Sequence, residues 1–341
     1  VNLETRHIAS PAHSTRMPIE ALRIHGSARL HFGFTDPSGH LGRRFGSIGL
    51  AIEAPDYCVL FRRLQASQPG PVTGAEQFAA ARLRRYVDEI ITHFDYDLQV
   101  EIVVEKALVA HAGLGSGTQL AIAAGVATSQ LAADAQDIYS IAAILDRGAR
   151  SSIGAAAFDA GGFIVDGGRD SGSQLAPVIV RQNFPEQWAI ILVSDSRHEG
   201  LSAGSESAAF EDLPAFSESA SGEICSLLLL KVLPALKVRD LPHFAQGISR
   251  VQEITGDYFS TFQGGDRFTS ARVSEALKWL AANGAGGVGQ SSWGPTGYAF
   301  CENVHRAHDL VQRVQSLGQV EGLEFNVTRG KNCGANIVPV Q

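Results

Sequence analysis

Residues 23–34 read RIHGSARLHFGF, apolar and polar positions alternating into a turn at TDPSGH, which predicts a first strand. Residues 48–53 predict a second strand ending before Pro55, and residues 57–62 a third. After the loop QPGPVTG the period changes. Leu83, Val87, Ile90 and Phe94 recur at helical spacing, with Arg82, Arg85 and Glu89 turned outward. LQVEIVVEKAL, from Leu98, returns to strand alternation. HAGLGSGTQLAIAAG, from His111, then opens as a glycine-rich turn and closes as an apolar helix. DIYSIAAILDRG adds a helix with Asp134 or Asp137 as N-cap and Gly148 past its end.

GGFIVDGG and PVIVRQNF read as a strand pair around GRDSGSQ, and WAIILVSD, from Trp188, as a strand buried on both faces. Three helical patterns follow, over 223–236, 270–283 and 303–317. The last two stop at Gly284 and Gly318, where a left-handed cap suits glycine. Residues 287–301 hold a second glycine-rich segment and the strand YAFC, and EFNVTRGKNCGANIV predicts two strands around a turn. Mixed α and β elements thus fill both halves, with a boundary expected near Pro185.

Composition narrows the class. The 341 residues are 45% hydrophobic and 18% charged, with a net charge of −7, room for two ordinary globular domains. No run of like charge offers a footprint for nucleic acid or a polybasic membrane patch. Cys58, Cys225, Cys301 and Cys333 lie far apart, as suits a reducing cytoplasm and neither structural zinc nor a disulfide framework. The longest apolar stretch, residues 224–236, is broken by Ser226, Lys231 and Pro234. It reads as a buried helix rather than a membrane span of ~18 apolar residues. The polar, unpatterned start and the single methionine, Met17, lead us to expect residues 1–17 as a disordered extension and a native start near Met17.

The chemistry centres on the loop at Gly113, Leu114, Gly115, Ser116, Gly117, Thr118 and Gln119. Consecutive small residues let backbone N–H groups converge, and a following helix adds the positive end of its dipole, so the unit suits phosphate. A plain structural turn is the competing reading. The P-loop pattern fails for want of a lysine, and G-x-G-x-x-G fails on spacing. Two further segments sharpen the picture: SARLHFGF near the start and GVGQSSWGPTGYAF near the end. In this order the three segments resemble those of the GHMP small-molecule kinase superfamily. Within it the chain more closely resembles the β-ribofuranosylaminobenzene 5′-phosphate synthases, which carry G-L-G-S-G-T-Q where the kinases usually carry G-L-G-S-S. LHFGF, RRFGSIGLAIE, SSIGAAAFDAGGFIVDGG, HEGLSAG, FQGGDRF and GQSSWGPTGYAF extend the likeness over residues 22–341.

The resemblance implies an α+β fold of two domains, 18–185 and 186–341, each a mixed or antiparallel sheet with packed helices, and an active site in the cleft between them. It also implies a homodimer and small-molecule substrates. Phosphoribosyl diphosphate would react with 4-aminobenzoate or 4-hydroxybenzoate, giving a carbon-linked ribosyl arene 5′-phosphate, CO2 and diphosphate, an early step toward tetrahydromethanopterin. The kinases' catalytic aspartate has no counterpart in Ser151-Ser152-Ile153-Gly154, and Asp159 lies five residues beyond Gly154. A proline usual just before the glycine loop is also missing from LVAHAGLG. Decarboxylation needs no base to remove a ring proton, so the missing aspartate fits this chemistry.

Candidate residues follow from charge and placement. Arg29 and His31 share one face of the first strand, so both can point into the cleft as catalytic candidates, Arg29 to grip a carboxylate or a phosphate; a solvated strand face is the competing reading. Arg43 and Arg44 suit a phosphate, as do Arg197 and His198 after WAIILVSD, and Ser291 and Ser292 lie in the late glycine-rich motif. Asp195 is a catalytic candidate and, with Glu199, a candidate holder of Mg²⁺ through water, against the plainer reading of a turn with ordinary ion pairs. Asp159 and Asp166 are weaker metal candidates, and Phe32, Phe34 and Trp293 read as packing residues able to face an arene. The alternatives are an ATP-dependent kinase with a relocated base and a phosphometabolite-binding regulator without turnover.

Overall fold

The computed structural model describes residues 19–65, 70–74, 77–197, 213–263, 265–318 and 320–340. Strands β1 (Ala21–Asp36) and β2 (Phe45–Leu64) pair antiparallel along most of their length, from Ala21 opposite Arg62 to Asp36 opposite Phe45. The break expected at Pro55 is a change of neighbour within one strand. Residues 48–50 pair with β5 (Phe163–Asp166), whereas residues 58–64 pair with β4 (Gln99–Lys106). Between them the Ala54 N–H leaves the ladder and donates to Thr328 Oγ1 at 2.9 Å, and proline has no N–H to lose. The seven-stranded sheet is completed by β3 (Val72–Gly74), parallel to β4, by β6 (Val178–Gln182), hairpinned to β5, and by β11 (Asn336–Val340), beside β1.

A second, antiparallel sheet has the order β10 (Leu323–Arg329), β7 (Ala189–Asp195), β9 (Gly297–Cys301), β8 (Gly286–Gln290). The last two strands of the chain, expected as one pair, therefore lie in different sheets. All four cysteines are free.

Helix α1 (Gln77–Phe94) buries Leu83, Tyr86, Val87 and Ile90. Arg82, expected outward, instead faces the start of α2 (Ser116–Leu131). Asp137 caps α3 (Ile138–Ile144), accepting the Ser140 N–H at 2.9 Å, and α4 (Ile153–Asp159) follows. Helix α5 (Glu218–Leu227) continues through a π-helical turn (Leu228–Val232) into α6 (Leu233–Val238). By length and composition the run Glu218–Val238 is apolar enough to cross a membrane. Its Ile224, Leu228, Val232 and Leu236 are buried in the core, whereas Leu229, Leu230 and Val238 are exposed, which corrects the reading of a wholly buried helix.

Helix α7 (Leu241–Phe259) has no counterpart among the expected elements, because Pro242, Gly247 and Gly256 interrupt its apolar rhythm. Each is accommodated. Pro242 sits in the first turn, and Asp240 caps the helix by accepting the His243 N–H at 3.1 Å. Gly247 lies where a Cβ would strike Val232. Helices α8 (Ala271–Ala282) and α9 (Val304–Ser316) close the second half, capped by Ser270 and Asn303 and followed by Gly284 (φ 100°) and Gly318 (φ 69°).

One apolar cluster spans both halves: Phe32 and Phe163 share it with Phe184, Trp188, Phe244 and Phe300. The Phe244 ring lies 5.3 Å from Trp188 and 5.2 Å from Phe300. Continuous burial of this kind resists relative movement of the two sheets. Phe32 is fully buried there, away from any arene site.

Candidate active site

Three segments remote in sequence meet at one point. Arg29 of β1 donates its N–H to Leu114 O at 3.1 Å and its Nη1 to Gly113 O at 2.6 Å. Ser291 Oγ donates to the same Gly113 carbonyl at 2.9 Å and accepts the His31 N–H at 3.0 Å. The Ser292 N–H returns to His31 O at 3.2 Å. Gly113 and Gly294 touch backbone to backbone, so a Cβ on either would overlap the other loop. Gly113 (φ 75°) and Gly115 (φ 82°) supply the left-handed turns that bring the chain onto α2. Ser116, Gly117 and Thr118, the first turn of α2, line the cleft; the Thr118 N–H already donates to Gly115 O at 3.1 Å, which leaves the amides of Ser116 and Gly117 as the helix terminus offered to a ligand.

That cleft encloses about 1000 Å³. Among the described residues its lining holds six arginines (Arg29, Arg44, Arg82, Arg147, Arg150 and Arg169), with His31 and His111, against a single carboxylate, Asp146. In a chain of net charge −7 this is a concentrated positive field, the signature of an anionic ligand. Phe34, Phe45, Tyr258 and Trp293 form an aromatic wall on the same cleft, with Arg44 stacked 5.2 Å over Phe45.

His31 is 4% exposed, and burial, reinforced by the charges of Arg29 and Arg150, holds its pKa well below the ordinary histidine value. Its Nδ1 accepts the Gly33 N–H at 3.3 Å, which assigns the proton of the neutral ring to Nε2. The cleft therefore receives an uncharged donor. Behind it, Asp166 is buried and accepts backbone N–H groups from Ser47, Ser152 and Gly168 at 3.0, 2.9 and 3.1 Å. Burial outweighs those bonds and pushes its pKa up to about 6. Asp166 ties β2, α4 and the end of β5 together, both of its oxygens accepting backbone N–H groups.

Of the sequence-predicted residues, Arg29, His31, Arg44, Gly113, Gly115, Ser116, Gly117, Thr118 and Ser292 line the cleft. Leu114 is buried in the core, and Gln119 donates to Gly154 O at 2.8 Å, joining α2 to α4. Ser291 is fully buried and braces the loop. Arg43 turns away to Gly167 O, Gly168 O and Asp170. Asp195 is corrected likewise. It caps the far end of β7, accepting from Ser270 Oγ at 2.8 Å and Arg272 Nη1 at 3.3 Å, outside the cleft lining. Arg197 packs against Gly322, and Asp159 is exposed at the end of α4. His198 and Glu199 lie outside the described residues.

Sequence reasoning missed Arg82, Arg147, Arg150, Arg169, His111 and Asp146. The one available signal was the pair of arginines around Gly148, just before the glycine–serine segment. Among the described residues no three His, Cys, Asp or Glu side chains gather as a metal-binding group.

Comparison with known proteins identifies the fold and the family. Residues 78–164 match the GHMP kinases N terminal domain and residues 232–319 the GHMP kinases C terminal family. The chain is 31% identical over 338 residues to the beta-ribofuranosylphenol 5′-phosphate synthase of Archaeoglobus fulgidus, covering 93% of this chain and 99% of that protein. It is 28% identical to the protein of the same name from Methanothermobacter thermautotrophicus, over 94% and 100% of the two chains. Among solved structures, homoserine kinase from Cytophaga hutchinsonii superposes with a TM-score of 0.67 at 16% identity, over 99% of this chain and 100% of that one. Mevalonate diphosphate decarboxylase from Enterococcus faecalis superposes at 0.65 and 11% identity, over 94% and 99%. These two likenesses speak to the fold. The chain is thus a GHMP-fold protein and belongs, within that superfamily, to the transferase-type enzyme family of the β-ribofuranosylphenol 5′-phosphate synthases.

Proposed function

We propose that this enzyme transfers the phosphoribosyl group of 5-phosphoribosyl 1-diphosphate to a para-substituted benzoate with loss of its carboxylate, an early step toward tetrahydromethanopterin. The observation that carries the reading is that, among the described residues, the cleft's lining sets six arginines and a helix terminus against one carboxylate. Such a site favours a polyanionic substrate and a departing diphosphate. The relatives' name specifies a phenol product and favours 4-hydroxybenzoate over 4-aminobenzoate as acceptor.

In this mechanism the bond from the anomeric carbon to diphosphate breaks, leaving an oxocarbenium-like sugar. The α2 amides and arginines neutralise the leaving group without reorganising. The ring carbon bearing the carboxylate bonds to the anomeric carbon, and the bond to the carboxylate breaks to release CO2 and restore aromaticity. His31, neutral with its proton on Nε2, offers a hydrogen bond without placing a second cation beside the sugar. The wall of Phe34, Phe45 and Trp293 orients the arene and excludes water, and an apolar surface near the carboxylate favours its departure as neutral CO2.

Mg²⁺ fits the donor set: Asp146 and the hydroxyls of Ser116 and Thr118 line the cleft, and this ion commonly takes one or two carboxylates plus substrate phosphates. When bound, it supplies further charge neutralisation on the diphosphate.

The test is incubation with phosphoribosyl diphosphate, Mg²⁺ and carboxyl-labelled 4-hydroxybenzoate or 4-aminobenzoate. Labelled CO2 and diphosphate are expected in equal amounts; label retained in the product overturns the reading. The kinase alternative draws on Asp146 as a relocated base and predicts ATP consumption with an alcohol instead. Ligand binding without product would identify a regulator.

A further inference from the structure

Gly117 stands where the kinases usually carry a second serine, and the structure supplies a physical reason for the exchange. A Cβ at Gly117 would overlap Arg82 Nη2, so the missing side chain is what admits the Arg82 guanidinium to the N-terminal turn of α2. Arg147 arrives from the other side. Its Nη2 donates to Tyr86 Oη at 2.7 Å, and Arg82 Nη2 donates to the same oxygen at 3.4 Å. Tyr86 itself is fully buried and rigidly placed on α1.

Both guanidiniums thus converge on one hydroxyl beside the positive end of a helix, a grouping of like charge that suits an anion. The arrangement also leaves Arg147 Nε buried with no hydrogen-bond partner. An unsatisfied buried donor in a basic cleft is what a bound anion relieves.

We propose that Arg82 and Arg147, bridged by Tyr86 and admitted by Gly117, form a clamp for the diphosphate of phosphoribosyl diphosphate. This rests on the reading that the cleft takes that substrate. A diphosphate carries two phosphoryl groups, one to meet the amides of Ser116 and Gly117 with the Thr118 hydroxyl and one to meet the guanidinium pair. The clamp thereby places the leaving group in line with the glycine loop. It also separates this enzyme from its kinase cousins by one missing side chain.

The experiment is calorimetric titration of the full-length protein with inorganic diphosphate and, separately, with orthophosphate. The variants are Arg82→Gln, Arg147→Gln, Gly117→Ser and the double variant Arg82→Gln/Gly117→Ser. Lys278→Gln serves as a control that removes the same charge from the exposed face of α8. Diphosphate Kd is expected to rise about tenfold or more in each clamp variant, as for loss of a charge-assisted hydrogen bond, and to stay within about twofold in the control. The double variant should bind no worse than Arg82→Gln alone, since serine acts by displacing that guanidinium. Gly117→Ser displaces only the flexible end of a side chain, so its melting temperature should match the wild type and keep the test independent of folding. Absence of diphosphate binding by the wild type, a Kd within about twofold in Arg82→Gln and Arg147→Gln, or equally tight orthophosphate binding overturns the clamp. Diphosphate binding through the clamp, without labelled CO2 in the synthase assay, overturns the proposed reaction and leaves the clamp standing.

Discussion

At 4% exposure and flanked by Arg29 and Arg150, His31 resists protonation, and that resistance has a consequence for stability. Its folded pKa lies below the unfolded value of 6.5, so between the two the unfolded chain binds more protons. The contribution of His31 is complete above pH 6.5 and is lost as pH falls. His31→Gln should flatten the acid side of a denaturation midpoint against pH profile; an unchanged slope would show that His31 titrates normally. Asp166 works in the opposite sense. Raised from 3.8 to about 6, it contributes stability that is present below 3.8 and lost as pH rises toward 6. Asp166→Asn should therefore steepen the gain of stability with pH over that interval, measured in the same way. Arg29 belongs to this scale too. Its guanidinium already holds Gly113 O, so Arg29→Ala should loosen the loop as well as remove a charge. We expect both Michaelis constants to rise, that of phosphoribosyl diphosphate the more, in steady-state assays. A rise confined to the benzoate would instead assign Arg29 to the acceptor.

Among the elements, the decisive contact is between two glycine turns rather than between side chains. Gly113 and Gly294 approach so closely that alanine at either position requires backbone movement, not a rotamer change. Gly294→Ala should cost about 1–3 kcal/mol in denaturant unfolding, as overpacking does. It should weaken diphosphate binding because the glycine loop shifts with it. A variant with wild-type stability and affinity would show that the loops yield freely. Much of the surrounding secondary structure was legible from periodicity: α1 from Leu83, Val87 and Ile90, α3 from its Asp137 cap, and the ends of α8 and α9 from Gly284 and Gly318. Helix α7 was not, because Pro242 and Gly247 read as breakers until the cap at Asp240 and the packing against Val232 are seen. Nor was the continuity of β2 through Pro55. A proline ends a strand only where its neighbour needs an N–H, and here the neighbour changes.

For the whole molecule, a net charge of −7 and a cleft of six arginines describe the same chain at two ranges. Over longer distances the acidic surface dominates, and within a Debye length of the cleft, about 10 Å at 0.1 M salt, the arginines do. Diphosphate binding should therefore weaken several-fold as monovalent salt rises from about 0.05 to about 0.5 M, read as Kd by calorimetry. Salt-independent binding would mean that hydrogen-bonding shape, not field, carries the affinity.

The sequence by itself determined the glycine-rich loop before α2, the three motifs whose order marks the superfamily, and the absence of a kinase-type carboxylate after Ser151-Ser152, because these are local patterns of residue type. It also pointed to Arg29, His31, Arg44, Ser116 and Thr118 as residues facing one cleft. Only the tertiary structure decided which charges converge there. Arg82 looked solvent-facing on its helix, Arg147 stood at the end of an expected helix with Arg150 just beyond it, and Asp195 looked like a ligand at a strand end. In each case the answer lay in an element distant along the chain: α2 for Arg82, Tyr86 of α1 for Arg147, β1 for Arg150, and Ser270 with Arg272 for Asp195. Periodicity reports which side of an element is apolar, but which polar side chain meets which is settled only when the sheets and helices pack.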